Sequence, residues 1–269
     1  VHSPAAYRLL PGARSDIGPR RSENQDSGYA SGRLMLVADG VGGAPAGHLA
    51  SGLAVKSMVA GLGEMTEPDA NSVQEQVVRA NAMLAQTGRD YPSVRGMATT
   101  MTGLVMAGDV GYLVHVGDSR AFRLRDGVFE QMTVDQSWVQ MLMDEGMLDP
   151  AEVSTHPMRN MLMHSLSGAL RDPEYARVTP VDLRAGDRWL IATDGLTGYL
   201  PAEVIAEQLA EKYDPSKAAD VLVDLCWPHS LDNITVVVGD VVETDVASEG
   251  WFVGAVAETT RPVRRSQAG

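Results

Sequence analysis

Apolar positions recur along this chain in two rhythms, one suited to strands and one to helices. Residues 33–38 (RLMLVA) run apolar into Asp39–Gly40, the pattern of a buried strand that stops at a turn. From 46 to 62, Leu49, Leu53, Val55 and Val59 are among the apolar positions of a helix. A second helix follows over 71–89, with Val73, Val77, Met83 and Leu84. Strand patterns return at 98–107, 110–116, 120–124 and 128–132, and Asp126–Gly127 reads as a plain hairpin turn between the last two. Helix is expected at 137–145, then a stretch bearing Met, His and Pro as far as 173, strands at 178–183 and 188–192, helices at 201–212 and 216–225, and a strand at 234–242. This order lacks the one-by-one strand–helix alternation of a parallel sheet. It favours an α+β fold in which helices cover antiparallel sheets.

Neither a repeat nor a Pro/Gly/Ser-rich linker divides the chain. Residues 1–242 therefore read as one domain, and 243–269 as a tail, partly ordered or flexible. In that tail Trp251 and Phe252 are expected to dock, and 259–269 to fray. With 269 residues, 44% of them apolar, the chain can bury a large core without staples. Thirty-five acidic against 22 basic residues leave a formal charge of −13, with no concentrated basic surface, so neither nucleic acid nor an anionic membrane is an expected partner. Residues 96–108 are uncharged but far too short and too rich in Thr and Gly to span a bilayer, which takes ~20 apolar residues. The first residues lack a secretory pattern, and a cytoplasmic location is expected. A single cysteine, Cys226, leaves no intramolecular disulfide and no cysteine-built metal site.

The candidate chemistry lies in four aspartates. Asp39 ends LMLVADG, Asp118 ends YLVHVGD, Asp194 ends WLIATDG and Asp232 opens LDNITVVV. Each falls where an apolar strand meets a Gly- or Asn-containing turn, so the backbone is buried while the carboxylate projects from the strand end. Any one of them reads equally well as turn chemistry. Four that converged would form a hard-oxygen site suited to Mg²⁺ or Mn²⁺ rather than Zn²⁺. Near the N-terminus, Arg20–Arg21 in an Asn- and Asp-containing loop supplies a guanidinium fork that suits a phosphate dianion.

Seven segments in order resemble the metal-dependent protein phosphatase family (PPM, the type 2C serine/threonine phosphatases) in its bacterial single-domain form. They are Arg21-x-x-Asn24-Gln25-Asp26, Val37-Ala38-Asp39-Gly40-Val41-Gly42-Gly43, Gly96-Met97-Ala98-Thr99-Thr100, Val116-Gly117-Asp118-Ser119-Arg120, Asp135-Gln136-Ser137, Ala192-Thr193-Asp194-Gly195-Leu196 and Asp232-Asn233-Ile234-Thr235. The resemblance implies a four-layer α-β-β-α sandwich of two antiparallel sheets, with a binuclear metal site between them. It implies two Mn²⁺ or Mg²⁺ ions, with a third in some relatives. Asp39 would bridge the first two, with the Gly40 carbonyl on the second, Asp194 and Asp232 would complete the first, and Asp118 with Asp194 would hold the third. Arg21 would clamp the substrate phosphate and Asp26 would order a metal-bound water, with Gln25 and Asn233 supporting from behind. Residues 138–173 would form a flap beside the site.

The activity so implied is hydrolysis of phosphoserine and phosphothreonine in proteins, by direct attack of a metal-bridging hydroxide, opposing a serine/threonine kinase. A monomer is expected. Gln25 stands where the family often has glutamate, and Val41 where some members carry a histidine. Two other readings remain open: a pseudophosphatase that serves as an interaction module, and a phosphatase of small phosphoesters or phosphotyrosine.

Overall fold

Alternation within single strands sorts the chain into layers. In β3 (Leu34–Asp39), Met35 and Val37 point to one core, while Leu34, Leu36 and Ala38 point to another. The same split recurs in β9 (Arg188–Ala192), where Trp189 and Ile191 part from Leu190 and Ala192, and in β10 (Ile234–Glu243), where Val237 parts from Val236 and Val238. Strands buried on both faces need cover on both faces, and the fold supplies it. The structure is a computed structural model that describes residues 7–41, 46–63, 65–211, 213–244, 246 and 248–258. Gly42 and Gly43 of the sequence motif, the expected helix end at 212 and the tail at 259–269 lie outside the described residues.

Among the described residues the remaining strands are β1 (Tyr7–Asp16), β2 (Asp26–Ala30), β4 (Met101–Ala107), β5 (Val110–Val116), β6 (Arg120–Arg125), β7 (Val128–Gln131), β8 (Arg177–Asp182) and β11 (Trp251–Gly254). They pair, antiparallel throughout, into a sheet of order β1-β10-β9-β6-β7 and a second of order β11-β2-β3-β4-β5-β8. Met35, Val37, Leu104, Trp189, Ile191 and Val237 fill the seam between the sheets. Helices α1 (Gly47–Leu62) and α2 (Ala70–Asp90) cover the outer face of the six-stranded sheet. Helices α5 (Asp194–Thr197), α6 (Ala202–Ala210) and α7 (Pro215–Cys226) cover the other. The expected four layers are therefore present. Two short helices, α3 (Trp138–Asp144) and α4 (Asp172–Tyr175), lie between β7 and β8, and α8 (Ala255–Glu258) follows β11.

Asp126 and Gly127 both adopt positive φ, 50° and 79°, as a two-residue hairpin between β6 and β7 requires. The strand expected at 98 starts at Met101. Thr99 instead bridges Gly40 on one side and Leu166 on the other, tying the end of β3 to the segment before α4. The chain after β10 turns back. Trp251–Gly254 pairs with β2 as an edge strand, and the Phe252 ring lies 5.0 Å from that of Tyr29.

Two predictions concern this frame. A Cβ at Gly12 in β1 would collide with the backbone of Pro215 and Ser216 at the start of α7. Gly12→Ala is therefore expected to lift α7 from the sheet and to cost about 1–3 kcal/mol in urea unfolding; unchanged stability would mean that the contact is slack. His115 is buried between the Thr102 hydroxyl (Nδ1, 2.9 Å) and the Val134 carbonyl, to which Nε2–H donates (3.0 Å). Burial lowers its pKa below the ordinary 6.5, so the unfolded chain takes up this proton at higher pH than the folded protein. The stability it contributes is complete above that value and is lost as pH falls toward the lowered folded pKa. Urea unfolding of wild type and His115→Gln should show a wild-type advantage that shrinks as pH falls from about 7.5 to about 5.5. A constant difference would refute the assignment.

Candidate active site

All four strand-end aspartates lie at one end of the two sheets. Asp39 closes β3, Asp118 follows β5, Asp194 follows β9 and Asp232 precedes β10. The antiparallel register brings these ends together: Asp26 pairs with Asp39, Met101 with Val116, Ala192 with Val236, and Arg120 with Ala192. At this end the chain also crosses between the sheets, through residues 17–25, through 117–119 and through the long segment 132–176. Gly117 makes the second crossing at φ 109°, and a Cβ there would lie 2.6 Å from Thr100 Cγ2, so this turn needs glycine.

Arg21, Asp39, Val41, Asp118, Asp194 and Asp232 line one cavity of about 250 Å³, with Thr100, Asn160 and Leu162. A larger groove of about 500 Å³ shares Asp118, Asn160 and Asp194. It runs beneath α3 and the short 3₁₀ turn Pro150–Thr155, past Arg159 and Tyr199. The segment expected to form a flap thus walls the cavity. It is anchored by the bridges Ser137–Leu162 and Thr99–Leu166, and by Gln136, whose amide accepts from Gly117 N–H (3.1 Å) beside Asp118. Arg120 grips Asp135 through two nitrogens, at 2.9 and 2.7 Å, at the groove wall.

Burial and mutual repulsion dominate the electrostatics. Desolvation, then Asp26, Asp194, Asp118 and Asp232, pushes Asp39 well above the usual carboxylate range. Asp118 is raised in the same way by burial and by Asp194 and Asp135. Asp194 is raised by burial and by Asp232, offset in part by a hydrogen bond from Asp39. Desolvation lowers the Arg21 pKa, but Asp232, Asp39 and Asp194 more than offset it and hold the guanidinium charged. Arg21 Nη2 donates to Asp232 Oδ2 at 2.6 Å, while Asp232 Oδ1 accepts from Asn233 N–H at 2.8 Å.

The donor set fits a hard divalent cation: four carboxylates, with no thiolate or imidazole facing the cavity among the described residues. Asp194 Oδ1 is buried without a hydrogen-bond partner, an orphan acceptor that a cation would satisfy. Among the described residues no three acidic, His or Cys side chains are already gathered closely enough to enclose an ion. The aspartates are instead compensated in part by Arg21, which pairs with Asp232 at 2.6 Å.

Asp26, Gln25 and Asn233 stand behind the cavity. Asp26 is 1% exposed and accepts from the Thr193 hydroxyl at 2.8 Å. Burial pushes it up to about 7, with the Thr235 and Thr193 hydroxyls pulling the other way. The Gln25 side chain turns toward Glu23 (3.4 Å) and Gly47, while its carbonyl accepts from Gly40 N–H (3.2 Å). Sequence reasoning assigned no role to Thr193, which bridges Asp26 and Thr235 N–H (3.0 Å), although it sits within the ATDGL segment. It also missed Asn160 and Leu162, which lie in an aperiodic segment without turn or strand signal.

Residues 20–227 match the protein phosphatase 2C family. The serine/threonine protein phosphatase PstP of Mycobacterium tuberculosis (strain H37Rv) is 40% identical over 248 residues, covering 91% of this chain and 48% of PstP. The chain thus spans about half the length of that curated relative. Protein phosphatase PhpP of Streptococcus pneumoniae (strain R6) is 31% identical over 241 residues, 86% of this chain and 97% of PhpP. Among solved structures, the catalytic domain of PstP in complex with two manganese ions superposes with a TM-score of 0.81 at 36% identity, covering 88% of this chain and 99% of that one. The chain belongs to the protein phosphatase 2C family.

Proposed function

We propose that this chain is a metal-dependent phosphoprotein phosphatase that hydrolyses phosphoserine and phosphothreonine and opposes a serine/threonine kinase. The observation that carries this reading is the gathering of Asp39, Asp118, Asp194 and Asp232 with Arg21 around one cavity. PstP and PhpP are named as protein phosphatases, and the PstP catalytic domain binds manganese, which supports Mn²⁺ or Mg²⁺ here. Asp39, Asp194 and Asp232 would hold the first ion. Asp39 and the Gly40 carbonyl would hold the second, and Asp118 with Asp194 a third. Divalent cations in such a site supply a water of lowered pKa and compensate charge on phosphoryl oxygens.

The chain's own groups do the rest. Arg21 reaches the cavity from the loop between the sheets, where its fork can bind two phosphoryl oxygens and stabilise the charge that builds on them. Asp26, held by Thr193, accepts hydrogen bonds behind Asp39. Ser119 is fully buried and bonded to the Thr100 hydroxyl at 3.0 Å, which supports water rather than this serine as the attacking group. The polar groove past Arg159 and Tyr199 would take the polypeptide around the phosphoresidue, which favours a protein substrate over a small phosphoester. An interaction module without catalysis would not need to keep four mutually repelling carboxylates together.

Hydrolysis of a phosphothreonine peptide by metal-stripped protein tests this reading. Mn²⁺ or Mg²⁺ should restore turnover and Ca²⁺ should not; a folded protein inactive with every metal would reverse the conclusion. Asp39→Asn weakens both principal ion sites while leaving size unchanged. It is expected to lower kcat more than about tenfold, equivalent to ~1.4 kcal/mol, and retention of more than a tenth of the rate would remove Asp39 from its bridging role.

A further inference from the structure

Asn233 is 3% exposed, and its side chain commits its hydrogen-bonding groups to one loop. Nδ2 donates to the carbonyls of Ile17 (2.9 Å) and Glu23 (3.0 Å), and Oδ1 accepts from Gln25 N–H (2.8 Å). These partners bracket Arg21. The loop from 17 to 25 has no helix or strand of its own, yet both its feet are fastened to one amide with Arg21 between them. The loop also lies close on Asp232, since a Cβ at Gly18 would collide with the Asp232 carbonyl oxygen. From this seat Arg21 Nε reaches the Leu231 carbonyl (3.3 Å) and Nη2 reaches Asp232.

Only an amide side chain combines two donors and an acceptor in this arrangement; a carboxylate would set an oxygen against two carbonyls. A long guanidinium on an untethered loop would lose considerable freedom on meeting a phosphate, and a fixed Cα removes part of that cost beforehand. We propose that Asn233 is the positioning residue for Arg21, holding loop 17–25 so that the guanidinium is pre-set for the phosphate. The inference rests on the reading of Arg21 as the phosphate-binding group. It goes beyond that reading by assigning the geometry of the clamp to a residue that does not line the cavity.

The test is calorimetric binding of inorganic phosphate to Mn²⁺-loaded protein, for wild type, Arg21→Ala, Asn233→Ala, Asn233→Asp and the Arg21→Ala/Asn233→Ala pair. Arg21→Ala and Asn233→Ala are each expected to weaken phosphate about tenfold, ~1.4 kcal/mol. With Arg21 already removed, Asn233→Ala should change the affinity by less than about twofold, because both changes remove one interaction. Mn²⁺ binding to Asn233→Ala, measured separately, should stay within about twofold of wild type, since the Asn233 N–H that holds Asp232 is backbone. Asn233→Asp keeps the size and the bond to Gln25 N–H but loses both donors. It should weaken phosphate at least as much as the alanine, and it carries the test if the alanine variant does not fold. Additive effects in the pair, unchanged phosphate affinity in both Asn233 variants, or equal loss of Mn²⁺ and phosphate would overturn the positioning role. If Arg21→Ala leaves phosphate binding intact, the reading of Arg21 fails first and takes the inference with it.

Discussion

Asp39, Asp118, Asp194 and Asp232 repel one another, and much of this end of the molecule serves to hold them together. Two carboxylates ~4 Å apart cost about 1 to 4 kcal/mol at effective dielectrics of 80 to 20, and desolvation adds to that. Two kinds of compensation are visible. Arg21 pairs with Asp232, and Asp26 behind the cluster accepts from Thr193. The orphan oxygen of Asp194 marks where this compensation is incomplete. Divalent cations would supply what is missing, and in doing so would compete with Arg21 for Asp232.

Holding such a cluster requires a rigid support, and the two sheets provide it. Their seam is packed by Trp189, Met35 and the inward residues of β3, β9 and β10, so the strand ends are fixed before any side chain at the site is placed. Short connections then carry the functional groups from one sheet to the other. Gly117 allows the crossing that delivers Asp118, and the amide of Asn233 fastens the crossing that delivers Arg21. Thr99 links the end of β3 to the flap, and its hydroxyl donates to the Asp39 carbonyl at 2.9 Å. The wall of the groove and the central aspartate therefore share one backbone junction.

The layers were legible because alternation is local. The order of apolar runs such as LMLVA and ITVVV favours antiparallel sheets covered by helices, and the family resemblance implies their pairing into a sandwich. The hairpin at Asp126–Gly127 was equally plain, and it shows why Asp39 and Asp194 could not be told from turns by composition alone. What separated them was their place in an ordered set of segments, which carried the family resemblance. Less of the flap was readable. Leu162 reaches the cavity through its bridge to Ser137 and Asn160 lies two residues before it, and nothing periodic around them signals it. Trp251 and Phe252 were expected to dock, but the edge strand they form on β2 depends on a register that only the folded sheet supplies.

Short segments of the chain carry the strands, the helices that cover them, and the residue types suited to hard-cation and phosphate chemistry, because strand periodicity and side-chain chemistry are local properties. Tertiary structure alone decided that Asp232, more than 200 residues from Arg21, would be its ion-pair partner, and that Thr193 would support Asp26. It also decided that one buried amide would hold both feet of the arginine loop. Those are distances between strand ends, set by the register and packing of two sheets, and no local pattern of residues encodes them.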